Sequence, residues 1–149
     1  MPLTYDNLGI KFAYPDNWEL AQDEDPSLPR TISLHSPTGA FWSTTLHSLA
    51  DDSHVIMQQI REAFCDEYDE VEFEPFEGKI VDYSILNGFE LRFYCLDLMV
   101  VARVMLLEVN GFWVTLVYQG ENRDFDDFAS VFDAISFNMI QNMELVDNV

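Results

Sequence analysis

The chain has 149 residues, with 27 Asp and Glu against 7 Lys and Arg, a formal net charge of −20 at pH 7, and a 48% apolar fraction that includes 12 Phe, 6 Tyr and 3 Trp. A single domain of this length can bury enough aromatic surface to offset chain entropy, which excludes a disordered acidic tail. The same charge repels nucleic-acid phosphate and anionic membrane surfaces, and draws in basic proteins, peptides or cations.

From the N-terminus, Ile10 to Tyr14 is a short apolar run stopped by Pro15-Asp16-Asn17, after which Trp18-Glu19-Leu20 resumes. This reads as strand, turn and short strand. The acidic, proline-bearing Asp23 to Pro29 is an exposed loop. Thr31 to Ser36 and Phe41 to Leu49 flank Pro37-Thr38-Gly39-Ala40, a hairpin with β-favouring arms. The period then changes. Asp51, Asp52 or Ser53 can cap a helix running to about Asp69, with Ile56, Ile60, Ala63, Phe64 and Tyr68 on one stripe.

Strands return after Val71. Asn87-Gly88 and Asn110-Gly111 are both two-residue hairpin signals, which predicts an antiparallel meander of 79–86, 89–96, 100–109 and 112–118. A turn at Asn110-Gly111 pairs Val109 with Phe112 and Leu107 with Val114. Met105, Leu107, Val114 and Leu116 then share one face, and Val104, Leu106, Trp113 and Val117 the other. Both faces are apolar, so both need cover, and Trp113 and Val117 are expected to be buried. The second cover is a helix over 124–135, capped by Asp124 and carrying Phe125, Phe128, Phe132 and Ile135. The expected fold is therefore α+β: one domain over 1–149, a three-layer α/β/α sandwich around a central antiparallel meander sheet.

This order of elements resembles the PsbP-like superfamily over about residues 8–140. The likeness is carried by Ile10-Lys11-Phe12-Ala13-Tyr14-Pro15-Asp16-Asn17-Trp18, the hairpin, one long helix, the Asn-Gly meander and the Phe-rich final helix ending in Ser136-Phe137. The superfamily includes a photosystem II extrinsic subunit, a yeast Ran-binding import factor and bacterial adaptor chaperones of type VI secretion effectors. The resemblance implies a non-catalytic binding role. No basic, apolar leader precedes Tyr5, and Thr31 to Ala50 is too punctuated to span a bilayer, so the expected compartment is the cytoplasm without membrane insertion.

Catalytic signatures are sparse. His35 and His47 lie on opposite faces if Ser36 pairs with Phe41. If the register slips by one they share a face about 17 Å apart. His54 falls in the first helical turn. Cys65 stands among Asp66, Glu67, Asp69 and Glu70, where negative charge disfavours a thiolate, and Cys95 reads as core beside Leu91 and Phe93. No nucleophile elbow, P-loop, dinucleotide fingerprint or zinc-protease motif occurs, and no cofactor or metal is expected.

Two constellations stand out. One is the acidic run Asp66, Glu67, Asp69 and Glu70, continued by Glu72, Glu74 and Glu77. Acids in a helix's last turn oppose its dipole, and a basic partner would relieve that cost. The alternative is a merely solvated face. The other is Arg103, which interrupts an apolar strand. If residues 97–99 form the turn, Phe93 lies opposite Arg103, Arg103 opposite Tyr118 and Asp82 opposite Phe93, so that Asp82, Arg103 and Tyr118 line a row beneath a possible cleft. The alternative is an Arg that snorkels to solvent. The leading functional expectation is an adaptor whose acidic surface engages a basic or amphipathic protein or peptide. A small-molecule or cation carrier using the Arg103 cleft, and an unrecognised carboxylate-based enzyme, are the alternatives.

Overall fold

The computed structural model describes residues 2–147, with side chains through Met143. Ile10–Tyr14 is a strand, but its partner precedes it. β1 (Leu3–Asn7) and β2 (Ile10–Tyr14) form a separate two-stranded sheet through a Leu8-Gly9 turn. The chain then turns at Pro15, where the Trp18 N–H donates to the Pro15 carbonyl at 3.1 Å. β3 (Glu19–Gln22), β4 (Arg30–His35) and β5 (Phe41–Ser48) follow as antiparallel neighbours. After α1 (Ser53–Glu67) come β6 (Glu72–Pro75), the short β7 (Lys79–Ile80) and β8 (Tyr83–Ser84), and the long β9 (Asn87–Cys95), β10 (Leu98–Val109) and β11 (Phe112–Glu121). α2 (Asn122–Asp147) closes the chain.

The central sheet runs β3-β4-β5-β11-β10-β9-β6, antiparallel throughout. The β10–β11 register pairs Val109 with Phe112 and Leu107 with Val114, as the Asn110-Gly111 turn dictates. Met105, Leu107, Val114 and Leu116 accordingly pack with Phe132, Ile135 and Met139 of α2. Val104 and Leu106 pack with Met57, Ile60 and Phe64 of α1. The helices therefore cover opposite faces, giving an α/β/α sandwich.

Several expectations are corrected, each for a local reason. Asn87-Gly88 is not a turn, and 79–86 is not a meander strand. Lys79–Ile80 and Tyr83–Ser84 make their own small hairpin, and β9 pairs on its outer side with β6. Gly88 is needed for a different purpose: a Cβ there would sit 2.6 Å from the Phe76 carbonyl oxygen. That close approach is closed by the Phe76 N–H donating to the Gly88 carbonyl at 2.9 Å.

The β9–β10 turn is Leu96-Asp97, not 97–99. Both residues have positive φ, at 51° and 66°. Cys95 pairs with Leu98, which moves the partner of Arg103 from Phe93 to Glu90. Cys95 stands at the strand end and is exposed, not core.

α2 begins at Asn122, two residues before the expected cap, and runs well past 135. Nothing after Ile135 breaks it, since neither Gly nor Pro occurs there, and Met139, Ile140 and Met143 continue the buried stripe. α1 starts where Asp52 Oδ1 accepts from the His54 N–H at 2.9 Å, and ends at Glu67 with Tyr68 as its cap, slightly short of Asp69.

Trp113 and Val117 are half-buried rather than buried. α1 covers β9 and β10 but reaches only the near edge of β11. The Trp113 indole N–H lies at the rim and donates to the Asp51 carbonyl at 3.0 Å. Beyond it, the same face of β4 and β5 carries Thr31, Ser33, His35, Phe41, Ser43, Thr45 and His47, of which Phe41 adjoins the end of α1. His35 pairs with Phe41, the slipped register, so His35 and His47 do share this face.

Candidate functional site

The acidic run spans the end of α1, the segment that follows it, β6 and the loop before β7. Asp66 and Glu67 end α1, whose last turn contains no basic residue. Tyr68 caps that end, its N–H donating to the Phe64 carbonyl at 3.0 Å, and its ring stacks on Phe93 at 3.9 Å. This fixes the helix terminus over the end of β9. Burial, the nearby Glu67 and Cys95 together push the Tyr68 hydroxyl above its usual range. Asp69 and Glu70 continue outward, exposed, with Glu70 at φ 53°.

Glu72 and Glu74 are on β6, and their register with Arg92 and Glu90 puts them on the α2 side of the sheet, away from Asp66 and Glu67. Glu74 is partly neutralised. Arg92 bridges it at 3.5 Å and reaches Glu90 at 2.9 Å. Glu77 lies in the loop before β7 and is exposed. The sequence run is thus one exposed acidic end, Asp66 to Glu70, plus a charged ladder around the sheet edge.

Arg103 faces the α2 side opposite Tyr118, as the register predicted, but its carboxylate partner is Glu90. The Arg103 Nε and one terminal nitrogen both donate to Glu90 Oε2, at 3.1 and 3.0 Å. The guanidinium lies over the Phe76 ring at 4.1 Å and nearer Phe125 at 5.2 Å. Asp82 is not in this row. It sits in the β7–β8 turn, exposed, because 79–86 never joins the β9 ladder. A cleft does exist beside Arg103: a cavity of about 340 Å³ whose walls include Phe76, Ile80, Ile85, Met105 and Phe137.

Behind the cavity is a polar chain that sequence reasoning missed. The Trp42 indole N–H donates to Ser136 Oγ at 2.9 Å, Ser136 and Tyr118 hydroxyls meet at 2.7 Å, and the Tyr118 hydroxyl donates to Asp133 at 3.2 Å. Burial drives the Tyr118 hydroxyl far above the phenol range, opposed by the Ser136 hydrogen bond. Its only sequence signal was Ser136 in the terminal Ser-Phe pair. Trp18 of the opening motif is likewise structural, packing edge-on against Phe128 and Phe132 at 5.3 and 5.9 Å. Among the described residues, no three His, Cys, Asp or Glu converge to hold a metal ion, and no helix is long and apolar enough to cross a membrane.

No family model matches the chain, and no curated relative matches it in sequence. Solved structures do match its backbone. The solution structure of cyanobacterial PsbP (CyanoP) from Synechocystis sp. PCC 6803 aligns over 92% of this chain and 90% of its own, with TM-score 0.55 and 13% identity. A Pseudomonas aeruginosa protein of unknown function, PA94, aligns over 93% and 96%, with TM-score 0.51 and 8% identity. At such identity the likeness concerns architecture, and on that ground the chain has the PsbP-like fold.

Proposed function

We propose that the chain is a non-catalytic binding module whose acidic end engages a basic or amphipathic protein partner. The observation that carries this reading is the end of α1, where Asp66, Glu67, Asp69 and Glu70 are exposed beside a last turn without a basic residue. These carboxylates oppose the helix dipole, and among the described residues no Lys or Arg is paired with them, so a partner's Lys or Arg would gain from both. The cavity beside Arg103 supports the carrier reading less well. Its most enclosed charge, Arg103, is already matched by Glu90, and of the other charged groups on its wall Asp133 accepts from Tyr118 while Lys79 is an exposed side chain at the mouth.

The test is a capture experiment from lysate at low and high salt, run with wild type and with the E67K/E70K double reversal. Screening shortens the field to about 8 Å at physiological ionic strength, so carboxylates that matter must lie within the footprint. A partner held by this end should be lost with rising salt and weakened roughly 10-fold or more by the reversal. The reversal should not lower the melting temperature, because Lys suits a helix C-terminus. Equal capture under all four conditions would sink the acidic-end mechanism.

A further inference from the structure

The same end of the molecule carries an apolar feature that folding does not require. Leu96 at the β9–β10 turn is 93% exposed, with Tyr94 at 68% and Leu98 at 55% on either side. Single exposed leucines are ordinary, but Leu96 in the turn and Leu98 beside it on the α1 face adjoin, while Tyr94 pairs with Met99 on the other face. The turn chemistry makes this exposure costlier still. A two-residue hairpin turn with both φ positive favours Asn-Gly, and the neighbouring β10–β11 hairpin uses that pair, at 50° and 84°. Here the same conformation is imposed on Leu96 and Asp97, where a branched side chain is disfavoured and no contact in the core is gained.

The surroundings name the partner's chemistry. Cys95 and Leu98 pair on the α1 side of the sheet, one position beyond Phe93 and Val100, and Tyr68 stacks on Phe93. The apolar tip therefore continues into the capped end of α1, where Glu67 adjoins Tyr68. Asp97 is in the turn itself, and Glu121 lies opposite Val100 on β11. Carboxylates thus rim an apolar ledge, the complement of an apolar face flanked by Lys or Arg.

We propose that Leu96 and Leu98 at the β9–β10 hairpin tip are the apolar anchor of the partner-binding surface, and that its occupant is a basic amphipathic helix of a partner protein. This rests on the acidic-end reading and adds to it the contact that would slow dissociation, whereas the carboxylates speed encounter.

The test uses a fluorescent Leu/Lys peptide with leucines on one helical face and lysines on the other, titrated against the full chain. Leu96→Asn removes the anchor while suiting the positive φ, so the variant should melt no lower than wild type yet bind about 10-fold or more weakly. Leu8→Asn is the control, since Leu8 is also exposed at positive φ (60%, 52°) but in the β1–β2 turn. It should bind like wild type. If Leu96→Asn binds as wild type while E67K/E70K weakens binding, the anchor is overturned and the acidic end stands. Loss with Leu96→Asn but not with the charge reversal overturns the basic partner. No binding by wild type, or equal loss with Leu8→Asn, overturns the proposal outright.

Discussion

The two faces of the central sheet are built to different standards. On the α2 side, β4 contributes Ile32 and Leu34, β5 Trp42 and Leu46, and β10 and β11 Met105, Leu107, Val114 and Leu116, all in one cluster with α2 and the β1–β2 sheet. On the α1 side β6, β9, β10 and the near edge of β11 are covered. Apart from Phe41, which adjoins the end of α1, β4 and β5 present Thr, Ser and His there instead. The difference teaches how far an apolar run can be extrapolated. The continuous run of β10 announces cover on both faces, and β11 shares it in part. The strict alternation of β4 and β5 announces a wet side, which is the usual antiparallel pattern. Reading the whole sheet from β10 and β11 overextends α1.

Equal truncations on the two faces should cost unequal amounts. Phe132 of α2 is fully buried and stacks on Tyr118 at 5.0 Å, so Phe132→Ala should destabilise by about 3–5 kcal/mol. Phe64 of α1 is half-buried, and Phe64→Ala should cost only about 1–2 kcal/mol. Urea unfolding of both variants measures the gap. Similar losses would mean that the α1 face is as tightly packed as the other.

A smaller contrast concerns hydroxyls. Ser136→Ala removes the acceptor of the Trp42 indole and the donor to Tyr118 in a dry site, and should cost about 1–3 kcal/mol. Thr45→Ala, on the uncovered face of β5, should cost under about 1 kcal/mol although it loses the 2.9 Å contact with Thr31. If the two costs match, Ser136 is not the keystone of a desolvated chain.

The smallest effects are expected in the pH dependence, where the two sides respond at opposite ends of the scale. Tyr118 keeps its proton when folded, because burial raises its pKa, while the unfolded chain starts to release it at the ordinary value of 10.0. Its contribution is therefore intact below about pH 10 and declines as pH rises above it. Burial, partly opposed by Asp51, lowers His47 from the ordinary 6.5. The unfolded chain is then protonated first, and stability falls as pH drops below that value. Urea midpoints across pH should show Tyr118→Phe flattening the alkaline limb and His47→Gln the acid one. Unchanged limbs would count against both assignments.

The β4–β5 hairpin, the two helices, the β10–β11 register and the residues facing each helix there were legible in the sequence. Each depends on local chemistry: the Asn110-Gly111 turn, a period of two, and a period near 3.6. The acidic end was legible for the same reason, as a run attached to one helix terminus. The partner of Arg103 was not. Register across β9 depended on one turn, and Leu96-Asp97 carries no signal for the positive φ it adopts. Asn87-Gly88 misled because a glycine that permits φ above zero and a glycine that lets Phe76's backbone approach look alike in sequence.

What the sequence by itself determined is therefore what strong local signals enforce: the two helices and their buried stripes, the inward faces of β10 and β11 around Asn110-Gly111, and the density of charge. Only the tertiary structure decided which carboxylates meet. It separated Glu72 and Glu74 from Asp66 and Glu67, gave Glu90 to Arg103, and set Leu96 and Leu98 beside the end of α1. The physical reason is that long-range neighbours depend on the accumulated register of several turns, and a shift of one residue in any of them sends every later side chain to the other face.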